Sequence, residues 1–377
     1  MIDRRSIQLV YRSQPMSATS DFRPGLEGVI AFETEIAEPD KDGGFLRYRG
    51  IDIEELVGRY PFENVWGLLV DEDINSPLPP TEAIHLQDPS GSVPADLQAA
   101  LATLGPKWGM KKLVDIDDKQ ARDDLARLSS ATLTVVAQAA RGKQPAVPES
   151  EIEQGENAAA KFLIRWRGEA DPGAVKALDT YWISAAEHGL NASTFTARIA
   201  ASTGADCAAA LSSAVGTLSG PLHGGAPARV LPMIDGAERA GDPEQYIRDL
   251  LDSGERIMGF GHRIYRAYDP RATVLKRTAF ELGAPRAELA AALEEAALKV
   301  LREKSPDRQL ETNVEYWAAV VLDFAGIPAD LTPAMFGCAR VAGWSAHVLE
   351  QKRTGRLIRP SARYIGPPPR TLADLAT

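Results

Sequence analysis

Cysteine is nearly absent from this chain: Cys207 and Cys338 are the only two among 377 residues, more than a hundred positions apart. With no CxxC pair and no histidine at metal-ligand spacing, they argue against a disulfide framework and against a structural zinc site. No stretch approaches 18 uninterrupted apolar residues, so no segment reads as a membrane span. The opening residues, MIDRRSIQLVYRSQPM, carry basic charge but neither a secretory apolar core nor a small-residue cleavage site, and read as untargeted. Positive charge is the minority: 42 Lys and Arg against 52 Asp and Glu leave a net charge of −10. Polyphosphate binding needs a basic face, so nucleic acid is not an expected partner. The expectation is an acidic, soluble, cytoplasmic protein of two or three domain-sized units, with 44% hydrophobic residues to supply a core.

What is present is mostly helical pattern. Residues 28–50 hold the one β signal: GVIAFETEIAEP alternates, DKDGG supplies a turn and FLRYRG alternates again, which predicts a hairpin. Apolar residues at helical spacing follow over 52–70, and runs at 155–167, 174–187, 194–214 and 287–301 are rich in Ala, Leu and Glu. Gly/Pro breaks at 75–80, 88–94, 142–148 and 169–172 mark helix connections. The Ala-rich stretches 194–214 and 334–350 carry few charges, which predicts helices deep in a bundle or at a subunit interface. The terminal GPPPRTLADLAT reads as a loosely held tail.

Histidine is also scarce, so each of the five can be weighed. His85 lies in a polar stretch and reads as a surface residue; His347, in GWSAHVLEQ, reads as a packed helix histidine. The other three stand beside glycine. His223 is in SGPLHGGAPARV, His262 in IMGFGHRIYRAYDPRA and His188 in AAEHGLNASTF, the last at a break before a helix capped by Asn191 or Ser193. A neutral imidazole held by glycine-rich backbone can polarise a carbonyl or stabilise an enolate. Arg263, Arg266 and Arg271 follow His262, and guanidinium forks bind carboxylate or phosphate. Several arginines in an acidic protein imply a small anionic substrate. The Gly259–Phe260–Gly261 triplet lacks the third glycine of a dinucleotide loop. Acid/base chemistry needs a carboxylate, and Glu311, Glu315 and Asp323 are the candidates between which periodicity does not choose. Ser219 and Ser253 precede glycines without forming GxSxG, and neither cysteine has a neighbouring base.

GPLHGGA, GFGHRIYRAYDPRA, NVEYWAAVVLDFAGIP, TPAMFGCARVAGWSAHVLEQ and RLIRPSARYIGP, in that order, together with HGLNASTFTAR, resemble the citrate synthase family over about residues 25–366; residues 85–155 show little of its pattern. The resemblance implies an all-α fold with the short N-terminal hairpin. It also implies a large domain (1–222 with 328–377), a smaller mobile CoA-binding domain (223–327), and a homodimer acting on oxaloacetate and acetyl-CoA with no cofactor and no metal. By motif position His223 stabilises the enolate of the thioester, His262 protonates the oxaloacetate carbonyl, and Glu315 removes the α-proton. His188, Arg271 and Arg340 hold oxaloacetate, with Arg359 reaching the other subunit's site, while Ile257, Gly259, Gly261 and Arg266 contact CoA. A 2-methylcitrate synthase taking propionyl-CoA, or a weakly catalytic CoA or carboxylate binder, are the alternatives. One departure stands out: the family reads NVD where this chain reads Asn313–Val314–Glu315. The carboxylate is kept, with its oxygens moved by about a bond length, and about 1 Å at a reacting atom costs on the order of 10²-fold.

Overall fold

The computed structural model describes residues 22–40, 44–80, 84–86, 88–221, 223–224, 229–261, 268–306 and 310–375. Phe22–Thr34 belong to one compact unit, whose described residues hold only a 3-10 turn at Pro24–Leu26; the residues from Glu35 onward form a second. The second unit begins with β1 (Ala37–Pro39), β2 (Leu46–Tyr48) and β3 (Ile51–Asp52). Helices follow: α1 (Ile53–Leu56), α2 (Phe62–Asp71), α3 (Val93–Lys107), α4 (Asp118–Arg141), α5 (Glu149–Ile152), α6 (Ala158–Arg167), α7 (Pro172–Ala185) and α8 (Ala192–Ser202). After them come α9 (Cys207–Leu218), α10 (Val230–Ala240), α11 (Pro243–Asp252), α12 (Pro270–Glu281), α13 (Ala287–Lys304), α14 (Val314–Phe324) and α15 (Thr332–Thr354). None of these helices is long and apolar enough to cross a membrane.

The all-α expectation holds, and the hairpin is there but shorter than its alternating pattern. Ala37 pairs with Tyr48 and Pro39 with Leu46, and β3 adds a third antiparallel strand. Residues 28–34 alternate without forming a strand, and Ile30 is 88% exposed. Alternation alone does not supply a pairing partner. The run 194–214 is two helices rather than one: Gly204 at φ +79° ends α8, and Asp206 caps α9 by accepting from Ala209 N at 2.9 Å. The run 52–70 likewise breaks at Val57–Pro61 between α1 and α2.

Helix α15 is the axis of the unit, enclosed along its length by α2, α4, α7, α8 and α9. Its alanines and glycines let those neighbours approach closely, which explains its low polarity; α8 buries only one face. Helices α10 to α14 pack largely on one another, with α12 and α14 also against α7. Helix α7 thus contacts α12, α14 and α15; His188 follows its C-terminal end, Arg271 stands in the first turn of α12 and Arg340 lies within α15.

Candidate active site

The loop from α7 to α8 carries His188, and the small sheet holds it in place. The Tyr48 hydroxyl, from β2, lies 2.9 Å from the Ile183 carbonyl and 3.0 Å from that of Glu187, and accepts from Glu187 N at 3.2 Å. Gly189 turns the chain at φ +64°, and Asn191 caps α8 by accepting from Thr194 N at 3.1 Å. His188 is buried as a result.

Two buried arginines face this loop. Arg340, from the middle of α15, donates Nε to the Ala185 carbonyl at 2.9 Å, its only hydrogen bond among the described residues. Its terminal amines make no hydrogen bond among the described residues. Arg271, in the first turn of α12, is clamped by Asp269: Nε to Oδ1 at 2.9 Å and Nη2 to Oδ2 at 2.8 Å. The charges of both arginines act on the buried Tyr48 and Tyr181 phenols, which burial pushes well above the ordinary tyrosine range. The two cations thus share one buried neighbourhood.

Asp269 does more than hold Arg271. Its Oδ1 caps α12 through Arg271 N at 3.1 Å, and its Oδ2 accepts from Val314 N at 2.9 Å, tying α12 to the start of α14. Asn313 caps α14 through Glu315 N at 3.0 Å and donates Nδ2 to the Gly261 carbonyl at 2.9 Å. Glu315 therefore stands in the first turn of α14, beside Arg271. Burial pushes its carboxyl up to about 7, with Arg271 opposing and Asp269 adding to the shift. A carboxylate near 7 is matched to proton abstraction at neutral pH. The other two candidates are engaged elsewhere: Glu311 pairs with Arg302 at 3.4 Å and Asp323 with Arg286 at 3.2 Å.

His223 approaches from the turn after α9. Its Nε2 lies 2.9 Å from Ser193 Oγ, and Ser193 also accepts from the Trp344 indole at 3.2 Å. The single Ser193 proton has two acceptors in reach, His223 Nε2 and Asn191 Oδ1 at 2.9 Å. Placed on the imidazole side, it fixes the ring proton on Nδ1, the tautomer that can donate to a ligand oxygen. The Phe336 ring lies edge to face with His223, centroids 6.1 Å apart, and the Arg340 guanidinium sits 4.8 Å from the same ring's centroid. Burial, and then the Arg340 charge, lower His223 to about 4, so the imidazole is neutral at pH 7.

The segment at Ile257, Gly259 and Gly261 runs alongside. Phe260 bridges Thr312, Gly261 N donates to the Glu311 carbonyl at 2.7 Å and Asn313 N to the Gly259 carbonyl at 2.9 Å. Gly259 has φ +86°, and a Cβ there would stand 2.8 Å from Tyr316 Cβ, so only glycine fits. His262 and Arg266 lie outside the described residues. Arg359 is exposed in the stretch after α15, and no hydrogen bond or ion pair joins it to the other site residues among the described residues. His85 is exposed, as its context predicts, and Cys207 and Cys338 are buried and unbridged.

Sequence reasoning passed over a buried array behind the site. Arg198 donates Nη1 to His347 Nδ1 at 2.9 Å and Nε to the Gln351 amide oxygen at 3.0 Å, and it pairs with Glu350. Arginine can only donate, so His347 Nδ1 accepts and its proton is on Nε2, 3.3 Å from Glu187 Oε1. Glu187, fully buried, is held below the usual carboxylate value by His347 and Arg340 against the opposing effect of burial. Its carboxylate is accommodated by Gly343 on α15. Replacing a mid-helix glycine by alanine ordinarily stabilises by about 1 kcal/mol. Here a Cβ would fall on Glu187 Oε2 and 2.6 Å from the Ala186 carbonyl. Gly343→Ala is therefore expected to destabilise by about 1–3 kcal/mol, the usual range for overpacking, read as a lower urea midpoint.

Comparison with known proteins places this geometry. A family profile described as citrate synthase, C-terminal domain, matches residues 25–361. Putative citrate synthase 2 of Mycobacterium tuberculosis is 62% identical over 353 residues, covering 93% of this chain and 95% of its own. A 2-methylcitrate synthase of Shewanella oneidensis is 31% identical, covering 93% and 97%. Among solved structures, the ternary complex of Thermoplasma acidophilum citrate synthase with carboxymethyl coenzyme A and oxaloacetate is similar at a TM-score of 0.79 and 26% identity, covering 94% and 98%.

Proposed function

The chain belongs to the citrate synthase family of transferase-type enzymes, and from that premise we propose that it condenses acetyl-CoA with oxaloacetate and hydrolyses the citryl thioester to citrate and CoA. Glu315 takes a proton from the thioester methyl group. The electron pair moves onto the thioester oxygen, where neutral His223 donates a hydrogen bond. The resulting enolate carbon attacks the ketone of oxaloacetate, whose carboxylates lie on Arg271, Arg340 and His188. His262 supplies the proton that the new alkoxide takes up, water cleaves the thioester, and CoA leaves. The Ile257–Gly261 segment and Arg266 hold CoA.

The observation that carries this reading is the pairing of opposite protonation tendencies in one buried place: a carboxyl raised to about 7 and an imidazole lowered to about 4. The environment inverts the ordinary order of the two groups, leaving the carboxyl to act as base and the imidazole as a neutral hydrogen-bond donor. We take acetyl-CoA as the acyl donor and keep propionyl-CoA, one methylene larger, as the alternative. One methylene in a pocket is worth about 1–3 kcal/mol, or tenfold to about 200-fold in discrimination. The test is steady-state CoA release by the purified protein with oxaloacetate and each thioester. Turnover with acetyl-CoA is expected to exceed that with propionyl-CoA; the reverse order makes the enzyme a 2-methylcitrate synthase, and no turnover with either removes the enzymatic reading.

We further propose a cytoplasmic homodimer, in which residues 223–327 close on the remainder and Arg359 completes the partner's site. The exposure of Arg359 is what favours a role in trans. Chains carrying Arg359→Ala and Glu315→Gln, each nearly inactive alone, should regain part of the activity when mixed and allowed to exchange. No recovery would place Arg359 outside the partner's site.

A further inference from the structure

A cavity of about 280 Å³ opens among α2, α4, α5 and α6, and no residue assigned to the condensation lines it. It draws on residues 85–155, the stretch that departs from the family's pattern. Its floor is hydrocarbon, from Leu78, Leu133 and Phe162. Onto that floor α6 projects two cations one turn apart, Lys161 and Arg165, on the face it turns toward α4. A helix packed on its neighbour ordinarily seals such a face with apolar side chains.

Several polar groups in the wall are under-used. Thr134 is 5% exposed as a residue, and its hydroxyl makes no hydrogen bond among the described residues but remains accessible from the cavity that it lines. The Lys161 ammonium likewise has no hydrogen bond or ion pair among the described residues. The Arg165 side chain is 13% exposed, and its partner at 2.6 Å is Glu149, itself 49% exposed. Such a rim carboxylate is a weak hold on a buried cation. Glu63 accepts the Ala158 amide on both oxygens, at 3.2 and 3.3 Å, and burial pushes its carboxyl upward with Lys161 opposing. It keeps free lone pairs for a further donor.

The wall therefore presents both signs of charge above a hydrocarbon floor. A monoanion would add to the carboxylates of Glu63, Glu149 and Glu153, and a monocation would compete with Lys161 and Arg165. A zwitterion pairs both signs and leaves the balance unchanged. The volume is at the low end for ligand pockets, which run from about 300 Å³ upward, and suits a molecule far smaller than a nucleotide. We propose that this cavity binds a free apolar α-amino acid, its carboxylate on Lys161, Arg165 and Thr134, its ammonium on Glu63, and its side chain on Leu133 and Phe162.

Isothermal titration of the full-length protein with L-leucine, 4-methylpentanoate and 3-methylbutylamine tests this directly. Leucine is expected to bind saturably, and each molecule lacking one charge to bind about tenfold more weakly or worse, the loss of a charge-assisted hydrogen bond. Lys161→Ala and Thr134→Val should each weaken leucine binding by about fivefold or more, with CoA release confirming that both variants are folded. No saturable binding of leucine, equal binding of either single-charge molecule, or leucine binding undiminished in both variants would overturn the assignment.

Discussion

Glu315→Gln is expected to lower turnover by about 10²- to 10⁴-fold, the usual contribution of a positioned base, and at the same time to stabilise the protein at pH 8. Both effects have one cause. The Glu315 carboxyl is raised from 4.5 to about 7, chiefly because burial disfavours its charge. The folded state therefore holds this proton more tightly than the unfolded chain does. Below pH 4.5 both states are protonated and nothing is lost. Between 4.5 and 7 the unfolded chain ionises first, and above 7 the full penalty, about 3 kcal/mol, opposes folding. Gln keeps the shape and carries no charge, so urea midpoints of the two proteins should coincide near pH 4 and diverge above pH 7, with the variant higher. The wild-type rate should rise with pH through about 7 as the base ionises. Oxaloacetate binding should survive, since Arg271 and Arg340 are untouched. A Gln variant that still turns over would place the base elsewhere, and one no more stable at pH 8 would mean that the carboxylate is solvated.

That a functional residue should be a stability liability also bears on what a linear sequence can reveal. The glycine-flanked histidines and the arginines that follow His262 are local signals, each readable from a few neighbours, and in the structure Arg271, Arg340 and Glu315 all act on the buried Tyr181 while the Arg340 charge reaches His223. Helix boundaries followed the same rule: Gly204 and Asp206 carry the signal that divides 194–214, although composition alone reads it as one run. Residues 28–34 misled because alternation is necessary for a strand but does not provide its partner. The Arg198–His347–Glu187 array was illegible for a different reason. Its members are far apart in the chain and meet only because α8 and α15 pack together. His347 reads as a packed helix histidine, which it is, but its tautomer is set by an arginine 149 positions away. Ser193 reads in the sequence as a possible cap, whereas its hydroxyl lies 2.9 Å from His223 Nε2 and orients that ring.

Asp269 is the residue whose change should spread furthest, because one carboxylate serves four donors. Oδ1 accepts from Arg271 N and Nε, and Oδ2 accepts from Arg271 Nη2 and Val314 N. Asp269→Asn keeps the volume but has one oxygen. If that oxygen stays toward the α12 cap, the amide NH₂ faces the Arg271 amine and the Val314 amide, and two buried donors lose their acceptor. The Arg271 cation is then buried without its counter-charge, an arrangement that typically costs about 3–5 kcal/mol. The functional loss follows from the same contacts. Arg271 loses the clamp that aims it, so the KM for oxaloacetate should rise. The first turn of α14 loses its tie to α12, so Glu315 shifts, and a displacement near 1 Å at a reacting atom costs on the order of 10²-fold in turnover. Asp269→Glu, which keeps the charge but not the reach, should recover more of the urea midpoint than of the turnover, because charge compensation tolerates a methylene and the position of Glu315 does not. If Asp269→Asn instead unfolds and turns over like the wild type, Arg271 and α14 must be held by contacts other than this carboxylate.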